Sequence, residues 1–108
     1  MSNVMKELFD IVQERRRSPQ ENSYTCYLFE KGLDKILKKV GEECSETIIA
    51  AKNGDNDAIV MEICDLLYHL LVMMSCADIK WAEVEDELFK RRAKIGNLKS
   101  MRSTDHVT

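Results

Sequence analysis

The chain has 108 residues, of which 44% are hydrophobic and 32% are charged, so it suits one compact domain and excludes two independent cores. The formal net charge of −3 argues against a nucleic-acid-binding protein, because such proteins carry basic surfaces that replace phosphate counterions. The four widely spaced cysteines form no Cys-x-x-Cys pair, and we see no signal peptide and no apolar run that would span a bilayer. We therefore expect a cytoplasmic protein with reduced thiols and no membrane partner.

The N-terminal third predicts one long helix and one short helical turn. Apolar residues recur at helical spacing from about Val4 to Arg17, and the pattern ends before Ser18 and Pro19. A polar stretch follows, and residues 23–29 then lead to Gly32, a residue able to adopt the left-handed conformation that ends many helices. This segment predicts a short helical turn within a connector.

Two further helices are predicted around a turn at residues 53–55. Asp34 is expected to cap the second helix, which stops at this turn, and Asp57 is expected to cap the third. Apolar residues cover nearly the whole circumference of the third helix, a pattern typical of a helix in the middle of a bundle.

A fourth helix is predicted from about Trp81 to Ile95, ended by Gly96. The sequence therefore predicts an all-α fold with a four-helix core over residues 1–96 and a polar tail over residues 97–108. Because a domain of this size gains stability from a symmetric interface, we expect a homodimer or a higher homo-oligomer.

Two acidic patterns lie on the second and third helices and predict a shared site. The second helix carries Glu42, Glu43 and Glu46, and the third carries Glu62 and Asp65. Acids three residues apart share a helical face, and in an antiparallel hairpin Glu46 lies opposite Glu62 and Glu43 opposite Asp65. A solvated acidic face is the alternative interpretation for the second helix alone. The apolar third helix disfavours a solvated face, since an unpaired carboxylate buried there would cost several kcal/mol.

Four facing carboxylates predict a cation, and an all-oxygen ligand set favours Mg²⁺, with Mn²⁺ as a substitute. A di-iron centre is disfavoured because such bundles use Glu-x-x-His, whereas Glu46 and Asp65 occupy the positions where histidine would stand. Since Mg²⁺ with few protein ligands binds substrate phosphates, the cluster suits phosphoanhydride hydrolysis. Glu42, beside the inward-facing acids, is the candidate general base.

Basic residues near the acids are candidate contacts for substrate phosphates. The hairpin register places Lys39 opposite His69, one turn beyond the acids, which makes Lys39 the leading candidate. His69 is either part of the metal and hydrogen-bond shell or a packing residue. The full set of candidate substrate-binding residues is Lys35, Lys38, Lys39, Lys52 and His69.

The acidic patterns resemble the all-α NTP pyrophosphatase superfamily, whose motif is E-E-x-x-E on one helix and E-x-x-D on the next. A longer set of segments, covering about residues 4–95, resembles the phosphoribosyl-ATP pyrophosphatase family within it. The segments are Ser23-Tyr24-Thr25, Leu28-Phe29, Lys31-Gly32, Asp34-Lys35-Ile36, Lys38 to Glu43, Glu46, Ala50-Ala51-Lys52, Glu62 and Asp65 to His69.

The resemblance implies Mg²⁺-dependent hydrolysis of phosphoribosyl-ATP, a small-molecule nucleotide, to phosphoribosyl-AMP and pyrophosphate in histidine biosynthesis, with cleavage between the α and β phosphates. It also implies that Glu43, Glu46, Glu62 and Asp65 bind the metal, with Glu42 at the first motif position, and that the assembly is a homodimer or larger. Two alternatives remain at this stage. One is a house-cleaning nucleoside triphosphate pyrophosphatase, and the other is a helical dimerisation module without activity.

Overall fold

The computed structural model describes residues 3–94, which form five α-helices joined by short connections. The all-α prediction is confirmed. The segment predicted as a short helical turn is an α-helix of eight residues, so the described part of the chain has five helices where four were expected. In chain order the helices are α1 (Val4–Arg17), α2 (Tyr24–Lys31), α3 (Leu33–Asn53), α4 (Asn56–Cys76) and α5 (Trp81–Arg92).

The start of α3 differs from the prediction. Gly32, with a φ of 93°, is both the C-cap of α2 and the N-cap of α3, so α3 begins at Leu33. Asp34 is therefore in the first turn of α3 and is not its N-cap. There its negative charge still interacts favourably with the positive end of the helix dipole.

The start of α4 also differs, because the turn between α3 and α4 is tighter than expected. Gly54 ends α3 in the left-handed conformation, with φ 73° and ψ 19°, and Asp55 caps α4 by accepting a hydrogen bond from the backbone N–H of Ala58 at 3.2 Å. Asp57, the predicted cap, is already in the first turn of α4. A two-residue connection of this kind forces the two helices to run antiparallel.

The core lies at one end of the α3–α4 hairpin. Helices α3 and α4 make the most extensive contact in the molecule, and α1 and α2 pack against the same end of α4. All five buried residues of α4 lie in its C-terminal half, between His69 and Ser75. The buried apolar side chains of this core are Phe9, Val12, Leu28, Ile36, Leu71, Val72 and Met74. The opposite end of the hairpin, near Gly54, therefore extends beyond the core as a pair of helices.

Helix α4 corrects one expectation from the sequence. Among residues 3–94 it is the helix that is long and apolar enough, by length and composition only, to cross a membrane, and 28% of its apolar 18-residue stretch is buried in the structure. This differs from the prediction that the chain has no apolar run able to span a bilayer. The same helix carries Glu62 and Asp65, and its N-terminal half packs along α3, as the central helix of a small bundle would.

Candidate metal centre

Three of the predicted acids converge between α3 and α4. One carboxylate oxygen each from Glu43, Glu62 and Asp65 can be chosen so that all three atoms lie within 4.8 Å of one another. Glu43 is on α3, and Glu62 and Asp65 are one turn apart on α4. Glu43 is buried, with an exposed fraction of 6%, whereas Glu62 is half-buried and Asp65 is exposed. The group is thus closed on the core side and open to solvent on the other.

Two oxygens of this group are buried without a partner. Oε2 of Glu43 and Oε2 of Glu62 are out of contact with solvent and accept no hydrogen bond within the described residues. A buried carboxylate oxygen without a donor costs roughly 1–3 kcal/mol, and more when the group is charged. Such atoms require a cation or a shared proton, and this requirement is the strongest physical feature of the site.

The crowding of these carboxyl groups also changes the pKa of Glu62. A hydrogen bond shared with Glu46, loss of hydration on burial, and the charges of Glu46 and Glu43 together raise the pKa of Glu62 to about 7. Because neighbouring carboxylates disfavour one another's charge, Glu62 in the metal-free protein keeps its proton to a higher pH than an isolated glutamate does. Burial, followed by the charge of Glu46, also raises the pKa of Glu43.

The remaining two predicted acids lie at the margin of the cluster. Glu46 is exposed and approaches Glu62, as the antiparallel register predicted. The side chain of Glu42 is 47% exposed and lies 3.8 Å from Nζ of Lys39. Glu42 is therefore next to the group of three but outside it.

Lys39 is the basic residue that the structure brings to the acids. Its Nζ lies 3.8 Å from Oε1 of Glu43 as well as from Glu42, and its side chain is 27% exposed. The other predicted lysines, Lys35, Lys38 and Lys52, form no ion pair with the cluster within residues 3–94. Lys38 and Lys52 are exposed on α3. One ammonium group thus lies beside two of the five predicted acids.

His69 is fully engaged by hydrogen bonds and is 5% exposed. Its Nδ1 lies 2.7 Å from the backbone carbonyl oxygen of Asp65, and its Nε2 lies 3.0 Å from the hydroxyl of Tyr24. The structure therefore places His69 behind the cluster, where it connects α4 to α2. This geometry favours the hydrogen-bond shell among the roles considered from the sequence.

Tyr24 is a residue near the site to which sequence reasoning assigned no role. It belongs to the Ser-Tyr-Thr segment that carried part of the family resemblance, but a tyrosine outside the hairpin gives no signal of contact with His69. The hydrogen bond depends on how α2 packs on α4, which is a tertiary feature. To predict this contact, one would have needed to know which residues of α4 face the start of α2.

The donor set fits a hard divalent cation. All candidate ligands are carboxylate oxygens, two of them are buried and unpartnered, and no histidine nitrogen or cysteine sulfur belongs to the group of three. Oxygen-only sites that are open on one side suit Mg²⁺ or Mn²⁺, which retain water and accept phosphate oxygens as further ligands.

Comparison with known proteins gives one consistent result. Residues 5–92 match the family model for phosphoribosyl-ATP pyrophosphohydrolase. A protein of Clostridium botulinum strain Hall, named phosphoribosyl-ATP pyrophosphatase, is 57% identical over 103 residues, which are 95% of this chain and 94% of that protein. Proteins of the same name from Clostridium novyi and Bacillus cytotoxicus are 50% and 45% identical over 100 and 105 residues, covering at least 91% of each chain. This chain belongs to the phosphoribosyl-ATP pyrophosphohydrolase family.

Proposed function

We propose that this protein hydrolyses phosphoribosyl-ATP to phosphoribosyl-AMP and pyrophosphate, the second step of histidine biosynthesis, with Mg²⁺ as its cofactor. The family and the names of relatives that align over nearly the whole chain support the reaction. The observation that supports the cofactor is the pair of buried, unpartnered oxygens on Glu43 and Glu62, which a divalent cation would satisfy.

In this proposal the acids of the hairpin bind the cation. Glu43, Glu62 and Asp65 hold it from the two helices, and Glu46 completes the set on the solvent side. When bound, the cation supplies neutralisation of phosphate charge and activation of water. No cysteine or histidine is needed for this step.

The neighbouring residues handle the proton and the phosphate charge. Glu42 is the general base, because its carboxylate is beside the cluster and is free of it. Lys39 binds a phosphate oxygen of the substrate, since its partly exposed ammonium group lies 3.8 Å from Glu43. Lys35, Lys38 and Lys52 contribute positive charge along α3 without contact to the cluster.

The cellular setting and the assembly are part of the same proposal. The protein acts on a small nucleotide in the cytoplasm and binds neither nucleic acid nor membrane. It assembles as a homodimer or a higher homo-oligomer, in which the apolar outer face of the α3–α4 hairpin is covered by a second copy. Exposed side chains on that face include Val60 and Ile63 of α4.

The test is an assay of the purified protein with phosphoribosyl-ATP, in parallel with dCTP, dUTP and ATP. We expect turnover of phosphoribosyl-ATP to exceed that of the other nucleotides, to vanish with a chelator and to return with Mg²⁺ or Mn²⁺ but not Fe²⁺. Preference for dCTP or dUTP would favour the house-cleaning alternative. In ¹⁸O-labelled water the label should appear in phosphoribosyl-AMP, because attack at the α phosphorus leaves pyrophosphate unlabelled.

Variants of the acids test the site itself. Glu46→Ala and Asp65→Ala should abolish Mg²⁺-dependent turnover and leave the helical content unchanged, because both side chains lie on the surface of the cluster. Asp57→Ala is the matched control, since Asp57 is an exposed acid of α4 outside the cluster. Turnover at the wild-type rate in either cluster variant would refute the proposed site.

A further inference from the structure

The hydroxyl proton of Tyr24 is committed to His69. The carbonyl oxygen of Asp65 can only accept a hydrogen bond, so the Nδ1 of His69 that lies 2.7 Å from it carries the proton. In the neutral imidazole, Nε2 is then an acceptor, and the Tyr24 hydroxyl, 3.0 Å away, is its donor. Because a tyrosine has one hydroxyl proton, Tyr24 cannot also donate to a phosphate. What it offers a ligand is its ring.

The ring of Tyr24 is held in place by the first turn of α2. The hydroxyls of Thr25 and Tyr68 are hydrogen-bonded to each other, next to the Tyr24–His69 pair. Ser23 caps the helix by accepting a hydrogen bond from the backbone N–H of Cys26 at 3.2 Å. Two consecutive side-chain pairs therefore fix α2 on α4, one turn beyond Asp65, and a ring fixed in this way loses little entropy when a ligand binds.

Tyr24 and Tyr27 together form an exposed aromatic surface beside the carboxylates. Their ring centroids are 6.1 Å apart with an interplanar angle of 23°, and the two residues are 44% and 39% exposed. Burial raises the pKa of the Tyr24 hydroxyl, and the charges of Lys39 and Glu43 lower and raise it respectively, so both charged groups are close. The aromatic surface and the candidate metal centre are thus adjacent.

We propose that the Tyr24–Tyr27 pair is the surface on which the adenine base of the substrate stacks. This rests on the proposed function, in which one ribose separates the base from the phosphate that is attacked. Aromatic side chains stack on purine rings, and the pair is the exposed aromatic surface nearest the cluster. Phe89, another exposed aromatic residue, is on α5, which packs on α1 and not on the hairpin that carries the acids.

The experiment compares two inhibitors that differ in the base. AMP carries adenine, whereas pyrophosphate carries only the phosphates, so inhibition of phosphoribosyl-ATP hydrolysis by each is measured at saturating Mg²⁺. Tyr24→Leu should raise the inhibition constant of AMP at least about fivefold and change that of pyrophosphate less than about twofold. Tyr24→Phe keeps the ring and should retain AMP inhibition. Phe89→Leu is the matched control and should alter neither.

Three results would overturn the inference. Equal loss of AMP and pyrophosphate inhibition would mean that Tyr24 acts only by supporting the cluster, and unchanged AMP inhibition would place the base elsewhere. Absence of AMP inhibition in the wild type would also mean that the base does not bind at the Tyr24–Tyr27 pair. Tyr27→Leu repeats the test if Tyr24→Leu fails to fold, as judged by circular dichroism. If the wild type does not hydrolyse phosphoribosyl-ATP, the proposed function fails, and calorimetry with AMP and pyrophosphate still tests the stacking surface.

Discussion

At the scale of single residues, the crowding of carboxylates makes the stability of the metal-free protein depend on pH. The pKa of Glu62 is about 7 in the folded protein, compared with 4.5 as its ordinary value. A folded state that holds its proton more tightly loses stability as pH rises between these two values, because the unfolded chain releases the proton first. Above about pH 7 the contribution of Glu62 is constant.

We therefore predict that, with a chelator present, the free energy of unfolding of the wild type falls as pH rises from 4.5 to about 7. Glu62→Gln, which cannot ionise, should weaken this fall and be more stable than the wild type near neutral pH. Urea unfolding at several pH values measures both quantities, at one protein concentration. A wild type whose stability rises through this range relative to Glu62→Gln would contradict the pKa direction.

Lys39 and Lys38 are neighbours on α3 with the same charge but different surroundings. Nζ of Lys39 is 3.8 Å from both Glu42 and Glu43, whereas Lys38 is exposed and has no partner among these acids. Lys39→Ala should lower kcat/KM by on the order of 10- to 100-fold, the cost of one hydrogen bond to a charged phosphate. Lys38→Ala removes a positive charge that does not contact the cluster, so kcat/KM should stay within about twofold of the wild type.

Mg²⁺ binding distinguishes this role from a structural one. Removing the Lys39 ammonium makes the cluster more negative, so calorimetry should show Mg²⁺ affinity that is unchanged or higher in Lys39→Ala. If Mg²⁺ affinity falls together with kcat/KM, Lys39 supports the cluster and is not a substrate contact. Equal kinetics in the Lys38 and Lys39 variants would return Lys39 to the class of surface residues.

At the scale of the helices, the sequence allowed the hairpin register to be predicted but not the residues that begin α3 and α4. The register follows from a period of 3.6 residues and one turn, and in the structure Glu43, Glu62 and Asp65 lie close together while Glu46 is outside that group. The N-caps were wrong because any Asp near a helix start is a good cap, and only the turn length decides which one is used. The contact of Tyr24 with His69 depends on packing between distant segments and was outside the reach of pattern analysis.

Replacing glycine by alanine should have opposite effects at Gly41, inside α3, and at Gly54, its C-cap. Gly54 has a φ of 73°, so Gly54→Ala should destabilise the protein by about 1–2 kcal/mol. Gly41 is inside the helix, and a Cβ added there meets nothing within 4 Å, so Gly41→Ala should stabilise by about 0.5–1 kcal/mol. Urea unfolding of both variants at one concentration measures the difference. Destabilisation by both would indicate that the surface around Gly41 is covered in an assembly.

At the scale of the whole molecule, apolar side chains are exposed on both helices of the α3–α4 hairpin. The N-terminal half of α4 contains no buried residue, since all the buried residues of this helix lie at His69 or beyond. Val60, Ile63 and Leu67 lie along one side of this helix at spacings of three and four, with exposed fractions of 60%, 42% and 39%. On α3, Ile48 and Ile49 are 69% and 58% exposed. These exposed apolar side chains are the surface that the proposed dimer would bury.

The proposed dimer gives the last prediction. Light scattering of the wild type should give at least twice the chain mass of 12.5 kDa. Val60→Glu introduces a charge into the apolar stripe of Val60, Ile63 and Leu67. It should shift the protein toward the mass of one chain, because an unpaired charge buried in an interface costs several kcal/mol. Ile11→Glu is the matched control, since Ile11 is 51% exposed on α1, outside the apolar stripe of α4, and its variant should keep the wild-type mass. A wild type with the mass of one chain would refute the dimer, and dissociation by Ile11→Glu alone would place the interface on α1.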